Sequence, residues 1–126
     1  MTTGKSVIVK QFPCGFNDYE RFLHELEPYL EHDRPFLVFD FGEVTYIDSA
    51  GVDLLLSCME AAIKNNGDLK LASVSSSVQV MLEMTRVDRL FEIFDNCTDA
   101  IESFHSFSAR AIRQIESLAA YKQLKH

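Results

Sequence analysis

Alternating strand-like and helix-like stretches predict an α/β sandwich with a small, largely parallel sheet in its middle. Three observations carry this. Short β-branched or continuously apolar runs recur at SVIVKQF (6–12), PFLVFDF (35–41) and LKLASV (69–74). Between them lie stretches whose apolar residues repeat at helical spacing. Connections are short, and a chain of 126 residues is expected to hold one domain around one core.

SVIVKQF reads as the first strand, ended by Pro13 and Gly15. Asn17, with Glu20 three residues on, forms a capping-box variant and opens a helix. There Tyr19, Phe22, Leu23, Leu26, Tyr29 and Leu30 recur at helical spacing, and Pro28 predicts a kink or a restart. PFLVFDF is apolar almost without interruption, as a strand covered on both faces must be. EVTYI (43–47) either prolongs that strand or forms a second short one. The next helix, capped by Ser49, runs to about Asn65 and stops at Asn66-Gly67-Asp68. After LKLASV, Ser76 or Ser77 caps a helix with Val78, Met81, Leu82 and Thr85 on one side. RLFEIFD (89–95) turns into a short strand. Thr98 then caps a last helical run through Ile101, Phe104, Ala111, Ile112, Ile115 and Leu118.

Composition removes several classes of function. The formal net charge of −7 argues against capture of nucleic acid by the chain as a whole. Residues 106–126 carry Arg110, Arg113, Lys122 and Lys125 against Glu116, a net +3, which leaves −10 on residues 1–105. An acidic body with a basic tail suggests that the tail docks on the body or on an acidic partner. Cys14, Cys58 and Cys97 are widely spaced and unpaired in pattern, as reduced structural thiols are. The four histidines are scattered, so neither a metal site nor a cofactor is expected. No apolar run is long enough for a membrane span and the N-terminus is too polar for a signal peptide, so the expected location is the cytoplasm.

YIDSAGVDLLL (46–56) is the stretch that points to function. Ser49 is open to three readings: a helix cap, a catalytic nucleophile or a modification site. Catalysis is the weakest. IDSAG lacks the leading glycine of G-x-S-x-G, and His24, His32 and His105 fall on the first and last helices, away from Ser49. As a cap, its hydroxyl accepts a backbone N–H two or three residues on, while Asp48 suits the helix dipole and Gly51 permits close approach. The helix itself is unusual. At about 100° per residue, Asp53, Ser57, Glu60 and Lys64 form one narrow polar stripe. Val52, Leu55, Leu56, Met59, Ala62 and Ile63 form a core face, and Leu54, Cys58 and Ala61 a third stripe. That is about twice the apolar arc a surface helix needs. Either other helices bury the extra stripe or it meets a partner beside Ser49.

FLVFDFGEVTYIDSAGVDLLL followed by GDLKLASVSSSVQVMLEMTRVDRLFEIFD resembles the STAS domain of bacterial anti-sigma factor antagonists. The likeness covers about residues 35–105 and rests on a strand ending in Asp, a D-S-x-G turn opening a helix, and an L-x-R-L-F-like turn into a last strand. It implies a STAS-like sandwich over residues 1–105 and a binding protein, not an enzyme. In that family the serine of D-S-x-G is phosphorylated by a partner that is both serine kinase and anti-sigma factor. The unphosphorylated form binds this partner and frees the sigma factor, and a PP2C-type phosphatase resets the switch. The resemblance carries the acceptor role to Ser49 and a partner-facing role to Asp48, Ala50, Gly51 and Asp53. Gly51 would allow close docking, and Leu54 and Cys58 would supply contact surface. The alternative is a STAS adaptor subunit of a stressosome-like or lipid-transport assembly without a phosphoswitch; a small serine hydrolase ranks last.

Departures from the family pattern are specific. Gly15-Phe16-Asn17-Asp18 stands where members have a G-x-L-D-like segment, with Asn17 at a usually apolar place, so no role is carried to Asp18. Only one strand precedes that segment here, where a further one is usual. Arg86 stands where glycine is frequent. Residues 106–126 extend past the usual end of the family as a basic amphipathic helix. Such a helix can pack on the domain, pair with a second copy, or contact an acidic regulator.

Overall fold

The computed structural model describes residues 6–105 and 118–123. Its four strands, β1 (Val7–Gln11), β2 (Phe36–Asp40), β3 (Asp68–Ala72) and β4 (Ile93–Phe94), are all parallel and lie in the order β1-β2-β3-β4. Parallel neighbours need crossovers, and right-handed crossovers in one direction across a sheet fall on one side of it. Those crossovers are α1 (Tyr19–Leu30), α2 (Ser49–Lys64) and α3 (Ser76–Met84). A fourth helix, α4 (Cys97–Ser103), follows β4. Side-chain alternation sorts the two faces. Leu37, Phe39, Leu69 and Leu71 join the core made with α1, α2 and α3, while Val38 and Ala72 pack with Ala100 of α4 and with Phe104 just after it. The unbroken apolar run of β2 therefore serves two layers.

Lys70 interrupts that pattern in β3, yet it is buried on the α4 face. Its Nζ lies 3.3 Å from Glu92 Oε1, donates to Ser103 Oγ at 2.6 Å, and sits 4.2 Å from the Phe104 ring centroid. A buried ammonium is tolerable only when paired in this way. The network fastens α4 across the sheet.

Several element boundaries differ from expectation. Residues 43–47 form no strand; β2 is already flanked by β1 and β3 and ends at Asp40, so they turn away as a loop with Val44 and Ile47 buried. Asn17 does not cap α1. It lies in a 3-10 turn, Phe16–Asp18, and Asp18 instead pairs with Arg21 at 2.6 Å. α1 runs through Pro28 without restarting. Ser75, rather than Ser76 or Ser77, caps α3 by accepting from Val78 N, and Asn96, rather than Thr98, caps α4 by accepting from Asp99 N. In both cases the cap is the residue held extended just before the helix, which the hydroxyl-rich sequence leaves ambiguous. Arg86, at the position where the family favours glycine, has φ 64°, so its backbone is in the left-handed region.

The end of α2 follows the predicted stop in detail. Gly67 N donates to Ala62 O at 2.7 Å and Asn66 N to Ile63 O at 3.0 Å, the paired bonds of a Schellman motif. Asn66 takes the left-handed residue's place at φ 67°. Asn65 ties this end to α1 by donating its side-chain amide to Leu30 O at 2.6 Å.

An aromatic cluster at the other end of the sheet supports the start of α2. Phe12 N continues the ladder to Asp40 O at 2.8 Å, and the Phe12 ring stacks on Phe41 at 4.6 Å. Phe22 and Phe39 meet it at 5.5 and 5.8 Å, and Tyr19 lies 6.2 Å away at the cluster's edge. No described helix is long and apolar enough to cross a membrane.

Candidate functional site

The D-S-A-G turn sits at the carboxyl end of the parallel strands, where α2 begins. Its cap is Asp48 and not Ser49. Asp48 is extended (φ −99°, ψ −179°), and its Oδ1 accepts from Gly51 N at 2.8 Å. The same oxygen accepts from the Tyr19 hydroxyl at 3.0 Å. Ser49 is then the first helical residue, and it is exposed. Its hydroxyl is left for other chemistry because the neighbouring carboxylate has taken the capping position.

Tyr19 makes the turn a tertiary structure. Burial, helped by the Asp48 carboxylate beside it, pushes the phenol up to about 12, so it remains a donor at physiological pH. Gly51 is the complement of Tyr19. A Cβ at position 51 would stand 2.6 Å from Tyr19 Oη and 2.7 Å from Ile47 Cγ1, closer than real contacts allow. Gly51 is itself buried, so its lack of a side chain serves the approach of α1 to α2 and does not make room for a docking partner.

Among the other expected partner-facing residues, Asp53 is exposed and Asp48 and Ala50 are half-buried. Leu54 and Cys58 do not form contact surface: they are 8% and 0% exposed and belong to the main core. The third apolar stripe of α2 is thus spent inside the domain. Burial also pushes the Cys58 thiol up to about 12, leaving it inert. All three cysteines are free.

Sequence reasoning missed two residues that flank the turn. Phe16 and Tyr46 are 67% and 61% exposed. Phe16 meets Tyr19 edge-on at 5.8 Å, and Tyr46 lies two residues before Asp48. The signal was present for Phe16, an aromatic residue in loop sequence, whereas Tyr46 was hidden inside EVTYI, which reads as a strand. Exposed aromatics of this kind are enriched at the energetic centres of interfaces.

Below Ser49 the polar stripe of α2 is partly covered by the chain's own C-terminus. Residues 118–123 are helical, with Leu118 8% exposed in the main core and Tyr121 packed at its margin. Lys122 pairs with Glu60. A cavity of about 250 Å³ remains along this seam, bordered by Asp53, Ser57 and Glu60 on one side and Leu118 and Tyr121 on the other. Burial of one leucine contributes roughly 1.5–3 kcal/mol, and a partly exposed ion pair about 0–1 kcal/mol, before the cost of ordering the segment. The expected basic extension does reach the domain at 118–123; its residues 106–117 and 124–126 lie outside the described ones.

The cap assignment has a direct check. Asp48→Ala is expected to cost about 1–2 kcal/mol in urea unfolding, since it frees Gly51 N and strands the Tyr19 hydroxyl. Ser49→Ala should stay within about 0.5 kcal/mol of wild type. The reverse order would return the capping role to Ser49.

The STAS domain family model matches residues 13–100. Three solved structures share the fold. An anti-sigma-factor antagonist (STAS) domain protein from Planctomyces limnophilus has a TM-score of 0.67 at 19% identity, covering 76% of this chain and 88% of that one. A candidate anti-sigma factor antagonist from Thermotoga maritima gives 0.63 at 17% identity, covering 79% and 82%. The STAS domain of a SulP transporter from Vibrio cholerae gives 0.64 at 16% identity, covering 92% and 88%.

Proposed function

The chain belongs to the STAS domain family, and from that premise we propose that it is an anti-sigma factor antagonist whose binding is switched by phosphorylation of Ser49. The unphosphorylated form binds an anti-sigma factor that is also a serine kinase, a PP2C-type phosphatase resets it, and both encounters take place in the cytoplasm. The protein acts by binding and not as an enzyme. One observation carries this reading: Ser49 is an exposed hydroxyl at the start of α2, released from capping by Asp48.

The physics of the switch follows from the turn. A phosphoryl group adds about 1.5–2 negative charges at a helix N-terminus, where remaining N–H groups and the dipole favour it. Asp48, beside it in sequence, and Asp53, one helical turn on, add like charge. Folding therefore survives, while burial of the same surface against a partner becomes costly. Incubation with ATP and the cognate kinase, followed by mass spectrometry, should place phosphate on Ser49. Label found only on other residues would defeat the assignment.

A second reading has its own support. The likeness to the SulP transporter STAS domain spans 92% of this chain, which favours a structural adaptor in a larger assembly. Light scattering on complexes purified from native cytosol separates the two: an antagonist gives a small complex with a kinase, an adaptor a large assembly without one.

A further inference from the structure

We propose that the groove along the outer face of α2 is a docking site for a basic amphipathic helix, filled in cis by residues 118–123. The C-terminal segment then competes with a partner for the helix that carries Ser49.

The segment lies beyond the family match, which ends at residue 100. Charge and shape both favour it. The tail carries net +3 against −10 on the rest, and Lys122 meets Glu60 on the acidic stripe. Leu118 enters the same core cluster as Leu56, and Tyr121 packs against its edge. The fit is nevertheless incomplete. A groove of about 250 Å³ stays open along the seam, so the contact there rests on a few side chains, Leu118, Tyr121 and Lys122.

Helical geometry links this groove to the switch. Ser49, Asp53, Leu56 and Glu60 fall within one face of α2, since steps of three and four residues return to the same side. A partner that reads Ser49 and continues along α2 meets the segment within two turns. Competition with that partner rests on the function proposed above; the docking itself does not.

A fluorescein-labelled peptide of residues 106–126, titrated by anisotropy against the full-length unphosphorylated chain, tests the docking. Wild type should bind it weakly because its own segment fills the groove. Lys122→Glu in the full chain should bind it about fivefold tighter, and Leu118→Asp with Lys122→Glu about tenfold tighter. Adding Glu60→Lys should remove the gain. Lys122→Glu alters only a surface pair, so its melting should match wild type even where the Leu118 variant fails to fold. Equal affinity for wild type and Lys122→Glu would overturn the proposal, and so would a gain untouched by Glu60→Lys. A wild-type dimer in light scattering that Lys122→Glu converts to monomer would overturn the assignment in cis. Because no kinase is present, failure here leaves the Ser49 reading intact, and an unphosphorylated Ser49 leaves the docking intact.

Discussion

Gly67→Ala is expected to lower stability by about 3 kcal/mol and the melting temperature by about 10 °C, in chemical and thermal unfolding. The cause is space and not backbone conformation. The left-handed position of this helix end is held by Asn66, and no described glycine has positive φ. A Cβ at 67 would instead fall inside the van der Waals shell of Pro35 O, and within 2.6 Å of Pro35 Cδ and 2.7 Å of Pro35 C. No rotamer change can move those atoms, because two are main-chain and the third is in the ring. The chain there is also pinned. Asp68 N donates to Pro35 O at 3.0 Å and Arg34 N to Asn65 O at 2.7 Å, just ahead of the Phe36↔Asp68 pairing that opens the β2–β3 ladder. Relief would separate the first residues of two central strands. Gly15→Ala is the control: a methyl group there would find nothing within 4 Å, so it should melt within about 0.5 kcal/mol of wild type. A Gly67→Ala protein that melts with the control would mean that this junction can open freely.

Ser49→Asp is expected to weaken binding of the anti-sigma factor kinase proposed as its partner about 100-fold or more while leaving unfolding within about 0.5 kcal/mol of wild type. The two halves of this prediction have one origin. Ser49 is exposed, and the carboxylate already capping α2 is that of Asp48, so the fold asks little of position 49. In a docked complex the new charge would sit next to Asp48 in the chain, on a surface that the partner would have to bury. Unpaired buried charge is among the costliest single changes at an interface. The aspartate carries less charge than a phosphoryl group, so the effect of phosphorylation should be at least as large. Ser49→Ala should bind the kinase normally and resist switching. Normal binding by Ser49→Asp would remove charge exclusion as the mechanism.

Much of this protein was determined by local pattern. The period of apolar residues marked β1, β2, α2 and β3, and the unbroken run in β2 required a sheet covered on both faces, as α4 and the other helices provide. The turn at 48–51 and the stop at Asn66-Gly67 were legible because capping and helix termination are short-range chemistry.

Other features depended on residues far apart in the chain. Asp48 rather than Ser49 caps α2, with Tyr19, 29 residues away, holding the same carboxylate. Gly51 is small for that tyrosine's sake. Leu54 and Cys58 are buried because the domain's own core covers them, and Asp53, Ser57 and Glu60 border a seam with the C-terminus instead of a purely solvated stripe. A helix's period states which residues share a face. Which neighbour covers that face is decided only when the chain has folded, because burial belongs to pairs of surfaces and not to either one alone.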